Sequence, residues 1–289
     1  RQDLLRLEDD RYHPKNWRPS ILALSGRSGA RIHLAVYAHW LAAGRGALTL
    51  AQIIPGEIGD HLERRSNQEN ALRSFIADQG LEAFPAVLVA PSREIGTEAL
   101  VQCYGIGRMR PNVVLFGWSK DPARLEDFGA LLRTASELRR SVLVIREGDT
   151  ERDPWLPPRG PIDVWWRGKA NGHLMVLLAH LLAQNDAWRG NEIRLLRVVS
   201  NQAGVEESTA HLERLITGAR VEATAKVLVA ENPIEAIHRA SRDSAIVFLG
   251  FIPPEEGREA AFVKAQQGLM KGLPTVVSVW SAGEVSLEA

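Results

Sequence analysis

Short apolar runs recur along this chain, and each is followed by a longer segment in which apolar positions return every three or four residues. A strand period alternating with a helix period is the pattern of an α/β protein. It predicts strands over 21–24, 48–54, 86–90, 113–116 and 142–145, with helices near 30–42, 58–79, 94–104 and 122–140 between them. The pattern then restarts, with strands over 162–166, 193–199, 225–230, 245–249 and 275–280 and helices over 173–184, 204–216, 233–242 and 258–270. Within Val113 to Phe116 nothing alternates with polar residues, as expected for a strand buried on both faces, and strands alternating with helices require right-handed crossovers and a parallel sheet. Asp121-Pro122 and Asn232-Pro233 each pair an N-cap residue with proline at the first helical position. In the helix over 58–79, Leu62, Leu72, Phe75 and Ile76 form the apolar side, and the poor helix formers Ser66-Asn67-Gln68 are the expected point of interruption.

Residues 1–18 are polar and read as a linker or arm, and 19–146 as a first half. The segment 147–161 holds three adjacent charges, four prolines and two glycines, which marks a connector, and 162–289 is a second half. The run Asn112 to Trp118 is echoed by Ser244 to Phe251, and Arg140 to Ile145 by Leu273 to Val279. The expected architecture is therefore two packed parallel-sheet halves with flanking helices, related by a pseudo-repeat.

Composition narrows the function. Lysine plus arginine and aspartate plus glutamate are 35 each, and no cluster of basic residues speaks for nucleic acid as a partner. The single cysteine, Cys103, excludes an internal disulfide and is expected to pack as a small hydrophobe. Eight scattered histidines form no metal motif, and His39 and His180 sit on apolar helical faces, so no metal is expected. No apolar run is long enough to span a bilayer. Gly105-x-Gly107 precedes a strand and lacks its third glycine at Arg110, which removes a dinucleotide fingerprint. Gly26-Arg27-Ser28-Gly29 stands between a strand and a helix, where a helix N-terminus could hold a phosphate. No catalytic constellation is visible, so an enzyme is not expected. Trp165-Trp166 are large for one strand and suit either core packing or a contact between halves or subunits.

Two long motifs carry a resemblance. Gly105-x-Gly107-Arg-Met109-Arg-Pro111-Asn112, running on to Gly117-Trp118, and Ile162-Asp163-Val164-Trp165-Trp166 with its following apolar helix resemble segments of the C-terminal cytosolic domain of the cation–chloride cotransporters. Lys15 to Pro19 extends the resemblance over nearly the whole chain. It implies a prokaryotic member whose halves each resemble a universal-stress-protein fold. It also implies a regulatory and dimerisation role without enzymatic chemistry, on the cytoplasmic side of the membrane. The partners would be the protein's own membrane domain and a second copy. The chain begins at Arg1, as a fragment would, and ion-binding residues would lie in the membrane domain. Arg167 to Asn171 stand where eukaryotic members carry an acidic, glycine-rich segment, which argues against phosphorylation control. The alternative is a stand-alone nucleotide-binding protein of the universal-stress type, with Ser25, Gly26, Gly117 and Trp118 as candidate contacts for ATP or ADP.

Overall fold

The computed structural model describes residues 17–24, 32–105, 110–119, 125–148 and 153–287. The first half contains β1 (Ser20–Leu24), α1 (Ile32–Ala42), β2 (Ala47–Pro55), α2 (Ile58–Asp78), β3 (Phe84–Ala90), α3 (Arg93–Cys103), β4 (Val113–Gly117), α4 (Leu125–Glu137) and β5 (Ser141–Arg146). The second contains β6 (Ile162–Trp165), α5 (Lys169–Ala183), β7 (Ile193–Val199), α6 (Val205–Ala219), β8 (Ala223–Val229), α7 (Pro233–Ala240), β9 (Ile246–Gly250), α8 (Glu259–Met270) and β10 (Thr275–Trp280).

All ten strands join one sheet in the order β3-β2-β1-β4-β5-β10-β9-β6-β7-β8. Every neighbouring pair is parallel except β5 and β10, which run antiparallel with Val277 opposite Ile145. Read outward from that junction, the halves have the same winding, so the pseudo-repeat is a local two-fold between β5 and β10. The halves meet edge to edge in the sheet and helix to helix on each side of it. The central strands are buried along their length, which explains why their sequences carry no polar alternation.

Two helix pairs cover the junction. On one face α1 packs against α5, where Trp40 and Trp188 meet edge to face at 5.4 Å and Asn185 donates from Nδ2 to the Trp40 carbonyl at 2.9 Å. This pairing supplies the second cover that the apolar circumference of α5 requires. On the other face α4 packs against α8. A Cβ on Gly129 would lie 2.8 Å from the Cβ of Glu259, so the two helices approach to a distance only glycine permits.

Several local expectations are corrected. The break in α2 falls at His61, whose φ/ψ of −127° and 15° are non-helical, and the helix runs unbroken through Ser66-Asn67-Gln68. Leu62, on the turn beside that break, is exposed, whereas Leu72 and Ile76 are buried. Helix α5 starts at Lys169, earlier than the apolar pattern suggested, because Lys169-Ala170-Asn171 extend it over a polar first turn. Cys103 is exposed at the last residue of α3 and does not pack in the core. The Asn232 cap forms as expected, its side chain accepting from the backbone N–H of Ile234 and Glu235. Asp121-Pro122 lies outside the described residues.

Candidate functional site

The strand order places a topological switch point between β1 and β4, since chain connections leave these neighbours toward opposite sides. In such sheets a crevice opens beyond the carboxyl ends of the strands. A cavity of about 800 Å³ lies there. Its apolar floor includes Ile53, Phe116, Phe128 and Leu131, and its rim carries Arg64, Gln68, Arg93 and Asp127. Gln52 is buried at its wall and accepts a hydrogen bond from Gln68 Nε2 at 2.8 Å. An apolar floor beneath two guanidinium groups can hold a molecule with an apolar body and an anionic end.

The equivalent crevice of the second half, between β6 and β9, is bridged by the protein itself. Asn171 donates from Nδ2 to the Phe251 carbonyl at 2.8 Å and accepts from the Ser281 N–H at 2.9 Å. A further pocket at the junction of the halves, lined by His33, Tyr37, Glu147 and Thr275, measures only about 60 Å³ and has room for little beyond water.

Of the residues singled out by sequence, Gly117 lines the large cavity. Trp118 stands beside it, half-buried, with its ring edge-on to Phe128 at 5.5 Å. Ser25, Gly26, Gly107 and Met109 lie outside the described residues. Gly105 follows α3 in a bend. Gln52, Arg64, Gln68 and Arg93 escaped the sequence reading. Gln52 was the detectable one, as an amide side chain inside a strand whose one other polar residue is Thr49.

The remaining motif residues hold the fold together. Pro111 is buried at the start of β4, and Asn112 next to it clamps the first strand. Its Oδ1 accepts from the Ser20 N–H at 2.8 Å, and its Nδ2 donates to the Arg18 carbonyl at 2.8 Å. Asp163 is fully buried in β6. Arg194 donates to it from Nε at 2.7 Å and from Nη2 at 2.8 Å, while Ser241 and Ser244 donate to Oδ2 at 2.6 and 2.5 Å. Trp165 Nε1 donates in turn to Ser241 Oγ at 2.9 Å. Ile162 and Val164 are core residues of β6, and Trp165 and Trp166 are both buried within this chain, on the two sides of the sheet's core.

Titratable groups are tuned mainly by packing. Burial pushes His39 and His180 below their ordinary range; Glu82 partly offsets this at His39, whereas at His180 Arg45 adds to the lowering and Glu222 opposes it. His39 stacks edge-on against Trp155 at 5.6 Å, and His180 shares a hydrogen bond with Gln184. Hydrogen bonding to Asp163 raises Arg194. Among the described residues no group of histidine, cysteine, aspartate and glutamate is placed to hold a metal ion, and no helix is long and apolar enough to cross a membrane.

Comparison with known proteins places this geometry. Residues 31–150 match the family model of Solute carrier family 12. The fold is similar to the crystal structure of the cytoplasmic domain of a prokaryotic cation chloride cotransporter, with a TM-score of 0.68 at 17% identity over 93% of this chain and 97% of that one. It is also similar to a universal stress protein from Archaeoglobus fulgidus DSM 4304, with a TM-score of 0.56 at 13% identity over 91% of this chain and 97% of that one.

Proposed function

We propose that this chain is the cytosolic regulatory and dimerisation domain of a cation–chloride cotransporter, acting on the cytoplasmic side of the membrane. The observation that carries this reading is the family match over residues 31–150, which contains the Gly105 to Trp118 motif. The motif geometry supports it: Asn112 and Asp163 are buried or half-buried tethers of strands, the work of a scaffold. On this reading the domain performs no chemistry. The membrane part carries sodium- or potassium-coupled chloride symport, and this domain biases its conformational equilibrium through subunit contacts.

The test is flux. The full gene product, reconstituted in proteoliposomes, should take up sodium or rubidium only when chloride is present. Chloride-independent uptake, or a gene product without membrane-spanning segments, would overturn the assignment. The isolated chain should sediment at twice its 31.9 kDa mass. A monomer at high micromolar concentration would remove the dimerisation role.

A second reading is favoured by the cavity at the β1/β4 switch point: an adenine nucleotide bound in the first half, with Gly117 at its wall. The same site would serve a stand-alone nucleotide-binding protein of the universal-stress type. Millimolar ATP should raise the melting temperature if it binds usefully, because a ligand of the folded state stabilises by mass action. An unchanged melting temperature would remove the idea.

A further inference from the structure

The turns that lead into β1, β2, β4 and β5 carry Arg18, Arg45, Arg110, Arg139 and Arg140. These four strands are consecutive neighbours in the sheet, so their starts form one row about 15 Å long at about 4.8 Å per strand. Arg18, Arg45, Arg110 and Arg139 are exposed. None of the five makes an ion pair with another described residue, and the Nε of Arg140 is buried without a hydrogen-bond partner. Glu82, in the turn before β3, is the one acidic residue described among these turns. Phe84, two residues on, starts the edge strand and is 65% exposed.

A basic residue after a helix is ordinary, since it complements the helix dipole. That explanation applies equally to both halves, and the second half meets it differently. Of its corresponding turns, those into β7 and β9 set acids beside their bases, as in the Asp186–Arg189 ion pair and the neighbours Arg242 and Asp243, while those into β6 and β10 carry a single base each, Arg159 and Lys271. The dipole therefore does not account for an unbalanced row in the first half alone. The chain also enters the fold at this row, since Trp17 precedes β1 there and residues 1–16 precede Trp17.

We propose that this arginine row is a docking surface for the anionic lipid headgroups of the membrane. The inference rests on the cotransporter reading, in which the polypeptide that enters the fold at Trp17 comes from the membrane domain and so holds this edge toward the bilayer. Guanidinium groups bind phosphate and carboxylate in a fork, and a basic cluster near an anionic leaflet gains affinity with each charge. Phe84 adds an apolar contact at the end of the row.

The test is co-sedimentation of the 289-residue chain with vesicles of phosphatidylcholine alone or with 30% phosphatidylserine added (about that fraction gives a strongly anionic surface). Binding should require the anionic lipid and weaken as salt rises. The triple variant Arg45→Gln, Arg110→Gln, Arg139→Gln should bind roughly a hundredfold more weakly, at about fivefold per arginine. The control variant Arg159→Gln, Arg242→Gln, Lys271→Gln should bind as the parent does. All these side chains are exposed, and unchanged melting temperatures check that each variant folds. Equal binding to neutral vesicles, no binding by the parent at low salt, equal loss in both triple variants, or preference for duplex DNA over anionic vesicles would overturn the proposal. None of these outcomes bears on the flux test of the cotransporter reading.

Discussion

Asp163 and Arg194 form a two-point ion pair between the neighbouring strands β6 and β7, with Nε to Oδ1 at 2.7 Å and Nη2 to Oδ2 at 2.8 Å. The carboxylate is fully buried, while the Arg194 side chain keeps 21% of its surface. Two serines complete the shell, so Oδ2 accepts three hydrogen bonds and Oδ1 one. A buried charge is tolerable only with such a complete set of partners. Arg194 also donates to the Ala240 carbonyl, so the pair ties β6 and β7 to the turn before β9.

Asp163→Asn keeps the shape and removes the charge, leaving Arg194 without its counter-ion. Breaking a buried pair of this kind costs about 3 kcal/mol. Ser241→Ala or Ser244→Ala should each cost about 1–2 kcal/mol. Urea unfolding at pH 7 measures all three. An Asp163→Asn variant as stable as the parent would show that the pair contributes nothing net.

Glu259 links the halves through Arg133, whose hydrogen bond holds the Glu259 carboxyl below its ordinary value of 4.5. A depressed carboxylate stabilises the fold above its unfolded-state pKa, and that contribution disappears as pH falls through the lower folded-state value. The stability difference between the parent and Glu259→Gln should therefore be constant from pH 8 to about 6 and should close below about pH 4. A difference independent of pH would assign the effect to packing.

His39 and His180 give the opposite end of the pH profile. Both lie below the ordinary 6.5 through burial, so below that value the unfolded chain takes up protons more readily than the folded one. Stability is full above about pH 7 and declines as pH falls toward 5. Replacing both with glutamine should flatten that decline. An unaltered slope in the double variant would place the responsible groups elsewhere.

Glycine substitutions should divide by backbone contact. At Gly46 an added Cβ would lie 1.7 Å from the Pro19 carbonyl oxygen, so Gly46→Ala must displace the turn against the start of β1. A loss of about 2 kcal/mol or more is expected from such overpacking. At Gly218, inside α6, the same atom meets nothing within 4 Å, and Gly218→Ala should stabilise by about 0.5–1 kcal/mol. Thermal melts of the two variants should shift in opposite directions.

Element types were legible in the sequence because their causes are local. The buried strands announce themselves by unbroken apolar runs such as Val113 to Phe116, and Asn232-Pro233 marks a helix start through a hydrogen bond only two residues long. The motif positions were legible too, although their work was not. Asp163 meets Arg194 across 31 residues and Ser244 across 81, and no spacing rule joins them. Of the candidate cavity, Gly117 was visible as the end of a strand, but Arg64 and Arg93 come from helices on different elements and meet only once the strands are ordered.

By itself the sequence determined an α/β alternation, two similar halves, their motifs and a balanced charge of 35 against 35. Only the tertiary structure decided that β5 and β10 run antiparallel, since an apolar run satisfies either hydrogen-bond ladder equally well. It alone decided where the charges stand. Arginines scattered from position 18 to 140 become one row because β2, β1, β4 and β5 lie side by side, an order set by crossover geometry and helix packing over distances that no local pattern spans.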